Sequence, residues 1–457
     1  MEPSPVAGFL VRTSSPQGQA SVRQLLFIMV YLTLLPCIFV SPFVGIVVYK
    51  WLEYMPPSVV YYANALPNQY SLFVALITIG VWAFTEKKIV PRPVWLLAIF
   101  LCFVLWTQLT TALAVFPTDA AVKWERTNKV FLISLLTAAM LTTRVRIESL
   151  LWTMALAIGY FALSGAAKTI LSGGGGTTVV GAYDTFMSDR VAFAFYLCAL
   201  IPLLWYLGKH DTLLARFKWR NYVIKGLIVA VIISVIGTHA RTGIVAGLCT
   251  FAMFVWHSNR KMITAIGGIV MLALALTFAP AEYFQRADSI ENYQGDESAV
   301  SRVESWAWAY NYAKEHPITG GGYKVFQLNK RGNYWLEAHN SFFEVLAEHG
   351  FVGLFLFVAL LAGIWVNCGW VIKRCREHPD LAWAADLGRA LRIALVAYAS
   401  GGFFGSCATF NLPYDILALS IGLRGIAMRQ LVNQVATVQG PVDVPRKAPL
   451  WPTAAKA

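Results

Sequence analysis

A chain of 457 residues with 57% hydrophobic and only 13% charged residues is not an ordinary soluble protein, because soluble domains carry about 25% charged residues. Its formal net charge of +13 invites a nucleic-acid reading, but in an apolar chain basic residues are retained in cytoplasmic connectors, and their positions below favour that explanation and exclude nucleic acid as a partner. The seven cysteines lie in or beside apolar runs without metal-ligand spacing, which argues against both a disulfide scaffold and cysteine catalysis.

Residues 1–24 are polar, with Arg12 and Arg23 ahead of an apolar run and no small-residue cleavage site after it. They read as a cytoplasmic tail before an uncleaved anchor. Runs near the ~20 residues needed to span hydrocarbon follow at 25–48, 68–85, 94–116, 128–143, 148–171, 187–208, 222–238, 242–257, 262–279, 352–373, 389–409 and 413–430. Pro36 and Ser41-Pro42 permit either a kink or a hairpin in the first run. One kinked span gives an all-α polytopic membrane protein of about twelve helices with both termini cytoplasmic, which suits Arg12 and Arg23. A hairpin gives thirteen. No internal repeat supports an inverted-repeat transporter.

The connectors assign sides. Lys87, Lys88, Arg92, Arg144, Arg146, Lys209, Arg216, Lys218, Arg220, Lys225, Arg260, Lys261, Lys373, Arg374, Arg376 and Arg429 fall on one side of the span map, which the positive-inside rule makes cytoplasmic. Residues 117–127, 172–186, 239–241 and 280–351 fall on the other, and between Ala281 and Asn340 acids outnumber Lys plus Arg. The expected organisation is a cytoplasmic tail (1–24), an N-terminal bundle (25–279), a large periplasmic loop containing short helices (280–351), C-terminal spans (352–430) and a flexible cytoplasmic tail (431–457).

The long loop holds the chemistry. Ser301-Arg302-Val303-Glu304 has capping-box form, and Val303, Trp306, Tyr310 and Ala313 recur at helical spacing. His316-Pro317 stops that helix, and Gly320-Gly321-Gly322 reads as a flexible turn. Ser341-Phe-Phe-Glu344 signals a second, short helix ending near Gly350, which sets His339 and Asn340 at a helix N-terminus, where free backbone N–H groups favour anions. Among the outer-side histidines, His316 and His349 sit where capping explains them, whereas His339 stands among polar neighbours and suits a general base. Basic residues on the acidic side are the other exceptions: Lys123, Arg126, Lys129, Arg190, Arg241 and Arg302 among them. Arg241, between two apolar spans, requires a partner or a water-filled cavity. No metal-binding motif and no phosphate loop are present, so a pyrophosphate handled here would be neutralised by arginines and no metal or cofactor is expected.

These residues carry a resemblance. His339-Asn340-Ser341-Phe-Phe-Glu344 through Gly353, together with Arg302, Trp306, His316-Pro317 and the glycine run, resembles the signature of the O-antigen ligase family of bacterial membrane glycosyltransferases. Arg241-Thr242-Gly243 after a span is similar to a further landmark of that family, and the run from Arg286 to Gly353 looks closest to the O-glycosylation ligases associated with exosortase systems. The resemblance implies an inner-membrane enzyme that takes a glycan from undecaprenyl pyrophosphate and passes it to an acceptor hydroxyl, on lipid A-core, on the periplasmic face. His339 would be the base, and Arg241 and Arg302 would bind the pyrophosphate. Arg190, Lys123 and Arg126 would help hold the donor, beside Asn340, and Glu344 would orient the imidazole. O-antigen polymerase or protein O-oligosaccharyltransferase activity, with a glycan or protein acceptor, is the alternative within the superfamily; a lipid-linked-oligosaccharide flippase is the alternative outside it.

Overall fold

The computed structural model describes residues 22–57, 69–174, 176, 178–258, 261–262, 265–266, 268, 297–332 and 334–439. The expected span at 262–279, Arg286 and its following acidic residues, and both tails lie outside the described residues or only partly within them. The helices run α1 Val22–Val40, α2 Pro42–Tyr54, α3 Tyr70–Thr85, α4 Val94–Ala112, α5 Pro117–Met140, α6 Arg144–Leu171, α7 Arg190–His210, α8 Arg220–Gly237, α9 Arg241–His257, α10 Glu297–Glu315, α11 Ser341–Cys375, α12 Ala382–Gly402 and α13 Asn411–Gln439. Six of them, α1, α4, α6, α7, α8 and α11, are long and apolar enough to cross a membrane. The chain is a multi-pass, predominantly helical membrane protein.

The first apolar run is corrected. Pro42 opens a new helix after Ser41, and Phe27 of α1 lies 5.7 Å from Trp51 of α2, ring to ring. Twenty-four residues of continuous helix would separate those rings by about 36 Å, so α1 and α2 fold back as a hairpin. Tyr31 also donates its hydroxyl hydrogen bond to the carbonyl of Tyr70 at the start of α3 (3.2 Å). The single kinked span, and the twelve-helix count that depends on it, give way here to the arrangement that the thirteen-helix alternative needs.

Small residues set the helix spacing. A Cβ on Gly45 would lie 1.8 Å from Thr78 Oγ1, and one on Gly237 1.9 Å from Thr169 Oγ1. These approaches join α2 to α3 and α8 to α6, as expected where close backbone contact substitutes for a hydrophobic drive. Helix α7 is the centre of the bundle: Phe193, Phe195, Tyr196 and Leu197 are all fully buried, and Gly401 of α12 leaves room for the Phe195 ring.

The two ends of the bundle differ in charge. At one end Arg146 pairs with Glu86, Arg144 bonds the carbonyl of His210, Lys209 and Arg389 share Asp386, and Arg429 reaches the carbonyl of Thr142. The basic connectors therefore gather at a single end, as their alternation along the chain required. At the other end stand the starts of α5, α7, α9 and α13 and the loop elements. A buried cluster ties the first hairpin to α13 there: Lys50 contacts Glu53 (2.8 Å) and Asp415 (2.6 Å), and Tyr54 donates to Asp415 (2.8 Å).

One further expectation changes. Residues 117–127 are not a connector but the first turns of α5. Beside its helices the loop holds a short ladder, in which Lys330–Arg331 and Tyr334–Trp335 pair as two-residue antiparallel strands (β1 and β2) around Gly332, whose φ is +63°.

Candidate active site

The loop is built on the first nine residues of α11. Asn340 caps this segment, its Oδ1 accepting from the backbone N–H groups of Phe342 (2.8 Å) and Phe343 (3.2 Å). The cap thus sits one residue before the expected Ser341, whose hydroxyl instead donates to the carbonyl of Gly405 (2.8 Å) and accepts from the N–H of Cys407 (3.0 Å). At the far end, Gly350 (φ +70°) breaks the helix before its membrane segment begins. The glycine run is no flexible turn. Gly321 and Gly322 donate to the carbonyls of Ala347 (3.0 Å) and Glu348 (2.8 Å), and Phe351 donates to Pro317 (2.9 Å). The orphan carbonyls of the helix end are satisfied by the loop itself.

Helix α10 lies across the other end. The indole N–H of Trp306 donates to the carbonyl of Ala338 (2.8 Å), and its ring stacks on Phe343 at 5.6 Å and 7°. Arg302 stands one helical turn before Trp306 on the same face. It is not at a helix start, as its capping-box reading requires, because α10 already begins at Glu297. His339 follows Ala338 with φ +45°, a left-handed conformation uncommon outside glycine. That backbone turns an exposed imidazole out of the chain between Ala338 and the cap. Partial desolvation, and next the positive charge of Arg302, hold its pKa below the ordinary histidine value despite Glu337, Asp189 and Glu344. The neutral, proton-accepting form is therefore the dominant one at neutral pH.

Beneath this lies a cavity of about 380 Å³ whose lining includes Lys123, Arg126, Trp335, Glu337, Glu344 and Glu348. Lys123 Nζ sits 2.7 Å from Glu344 Oε1 and 2.8 Å from both oxygens of Glu348. Burial alone would lower the lysine pKa, but the two carboxylates more than reverse this. For Glu348, burial and the like charge of Glu344 win over Lys123 and push its pKa up to about 7. Lys123 is thus committed to two carboxylates rather than open to a phosphate. Glu344 likewise serves Lys123 and the N–H of Ala408 (3.3 Å) rather than the imidazole of His339, and reaches His339 only through its field. Arg126 lies exposed over the Phe186 ring at 4.4 Å on the cavity rim.

Arg190 and Arg241 are the first residues of α7 and α9, both exposed. A Cβ on Gly243 would come 3.1 Å from Ala194, so these two helices start side by side and carry their arginines to one rim. Asp189 caps α7, accepting from Val191 (2.8 Å) and Ala192 (3.1 Å), and it also acts on His339. Arg302 therefore acts on His339 through its charge, from the helix that Trp306 fastens to Ala338, while Arg241, Arg190 and Arg126 stand on the neighbouring helix ends. His349 is buried, with Nδ1 2.7 Å from Thr110 Oγ1, and burial aided by Lys123 pushes its pKa down to about 3.

The sequence reading missed Glu348, Glu337 and Asp189. Glu344 and Glu348 are four apart, which places both on one helix face, and that spacing is the signal that was available. Among the described residues, no group of three or more His, Cys, Asp or Glu side chains is placed to hold a metal ion.

Residues 22–212 match a family of unknown function (DUF5935), and residues 226–358 match the family described as O-antigen ligase. No curated protein matches the chain. The second match takes in Arg241, Arg302, His339 and both glutamates, whereas Lys123, Arg126 and Arg190 belong to the first. With its landmark residues inside that match and gathered at one end of a helical bundle, the chain is a membrane protein that carries an O-antigen ligase family domain at residues 226–358.

Proposed function

We propose that this protein transfers a glycan from undecaprenyl pyrophosphate to an acceptor hydroxyl, that of a lipid A-core sugar, at the periplasmic face of the inner membrane, with inversion and without a metal. The observation that carries the reading is an exposed His339, held neutral beside Arg302 within the region that matches the ligase family. The acceptor oxygen attacks the anomeric carbon while the bond to the pyrophosphate oxygen breaks. The hydroxyl proton passes to the His339 imidazole, and the electron pair leaves with the pyrophosphate. Arg302 and Arg241 take up the charge that develops there, as planar forks suited to phosphate oxygens. Arg190 and Arg126 extend the basic rim towards the rest of the donor, and the apolar helix faces receive its polyprenyl tail.

The test is transfer in proteoliposomes with a defined undecaprenyl-pyrophosphate glycan and candidate acceptors. His339→Ala and Arg302→Ala should each insert and accumulate normally while transfer is lost, the arginine variant by about 10²–10³ in rate. Wild-type transfer by His339→Ala removes the base assignment. Chelator should leave the rate unchanged; a loss restored by a divalent ion removes the arginine-only account. Product analysis separates a single block on lipid A-core from a glycoprotein or a polymer ladder.

A further inference from the structure

A cavity at the basic end of the bundle is unrelated to the site above. It measures about 390 Å³ and lies between the connector 89–92, the end of α5 and one face of α13. On α13 its lining residues recur from Ile421 to Asn433 at helical spacing, a groove about 18 Å long at 1.5 Å per residue. The groove has a polarity gradient. Ala138 and Ile421 line the end towards the middle of the bundle, whereas Thr142, Arg92, Arg429 and Asn433 line the end at the basic connectors. No carboxylate belongs to the lining. The guanidinium of Arg429 is fastened by a hydrogen bond to the carbonyl of Thr142 (2.6 Å), which sets its position on the wall. Two glycines shape the space. A Cβ on Gly422 would meet Leu141 Cβ at 2.5 Å, so the helices touch there, whereas one on Gly425 would meet nothing nearer than Arg429 Nη1 at 4.0 Å. Gly425 is the open floor of the groove.

We propose that this groove is a binding site for an anionic phospholipid, with the phosphodiester between Arg92 and Arg429 and the acyl chains running along Val432, Met428 and Ile421. The match is one of gradient as well as charge: an apolar inner half and a two-arginine mouth fit a molecule that is apolar at one end and anionic at the other. Basic pockets between membrane helices on the positively charged side select such headgroups, with each arginine adding about fivefold in affinity. The chain's own C-terminal segment is a poor competitor, because residues 440–457 carry Arg446, Lys447 and Lys456 against the single acid Asp443.

The experiment measures thermal unfolding of the full-length protein in detergent, titrated with phosphatidylglycerol, phosphatidylcholine or inorganic phosphate. Phosphatidylglycerol should raise the midpoint saturably and the other two should not. Arg92→Gln/Arg429→Gln should weaken the apparent affinity by about 10–30-fold. Gly425→Leu has room for its Cβ and should occupy the groove: it should raise the midpoint in the absence of lipid, since Gly is the weaker helix former, and abolish the lipid response. An undiminished response in both variants, or an equal response to inorganic phosphate, overturns the proposal. So does a photoreactive side chain at Met428 that captures residues 440–457 or a second copy of the chain instead of phospholipid.

Discussion

The pairing of His339 with Arg302 gives the base a property that can be read in solution. Because its pKa is lowered, the imidazole stays neutral to a lower pH than an ordinary histidine, and the acid limb of the rate profile should fall below pH ~6.5. Arg302→Gln removes one of the two causes and leaves desolvation, so the limb of its residual activity should move to higher pH. A limb that stays in place would show that Arg302 does not act on the base. Lys123 has a different task. Lys123→Ala leaves Glu344 and Glu348 facing each other in a buried place, which typically costs about 3–5 kcal/mol. A strong fall in the unfolding midpoint, partly restored by adding Glu348→Gln, is the expected result of that double-mutant cycle.

The helical segment 341–349 shows what local chemistry can and cannot reveal. Its existence, its start beside His339 and its end at Gly350 all follow from capping residues and a breaker. The partners of Glu344 do not follow, because Lys123 lies 221 residues away on another helix and no local spacing encodes that meeting. The same holds for the glycine run, which reads as punctuation in the sequence and works as a docking surface for a helix end. The contrast is testable. Gly320→Ala would place a methyl 2.5 Å from the carbonyl oxygen of Ala347 at φ +62°, and overpacking of this kind costs about 1–3 kcal/mol beyond the backbone strain. Gly332→Ala has φ +63° and nothing within 4 Å, so it should cost only the roughly 1–2 kcal/mol of the left-handed backbone. Activity should fall with the first substitution and not the second, because only the first displaces the helix whose start fixes His339.

The path of the chain is the coarsest feature, and it separates the readable from the hidden most clearly. Apolar runs and basic connectors locate α3, α4 and α6 to α9 within about four residues, since both signals are local, whereas the polar start of α5, the bounds of α12 and the end of α13 lie seven or more residues from those of the apolar runs. The first hairpin escapes them: Pro42 marks a break, but only the packing of Phe27 on Trp51 shows which way the chain turns. The hairpin places Val22 at the same end of the bundle as Arg126 and opposite Lys209. In a cysteine-free background, Val22→Cys and Arg126→Cys should react with a membrane-impermeant thiol reagent from one side, and Lys209→Cys only from the other. Labelling of Val22→Cys together with Lys209→Cys would restore the single kinked span.

The Lys123 cluster also sets a timetable. Its two acidic partners are made 221 and 225 residues after the lysine, an interval of about 10–45 s at 5–20 residues per second. Lys50 waits longer still for Asp415, and the backbone N–H that closes on Glu344 belongs to Ala408. During synthesis, then, Lys123 enters the bundle well before either of these carboxylates exists, whereas Lys50 already has Glu53 three residues on. The contacts that close the reactive end are complete only once Ala408 has been made, so the site is assembled late in synthesis.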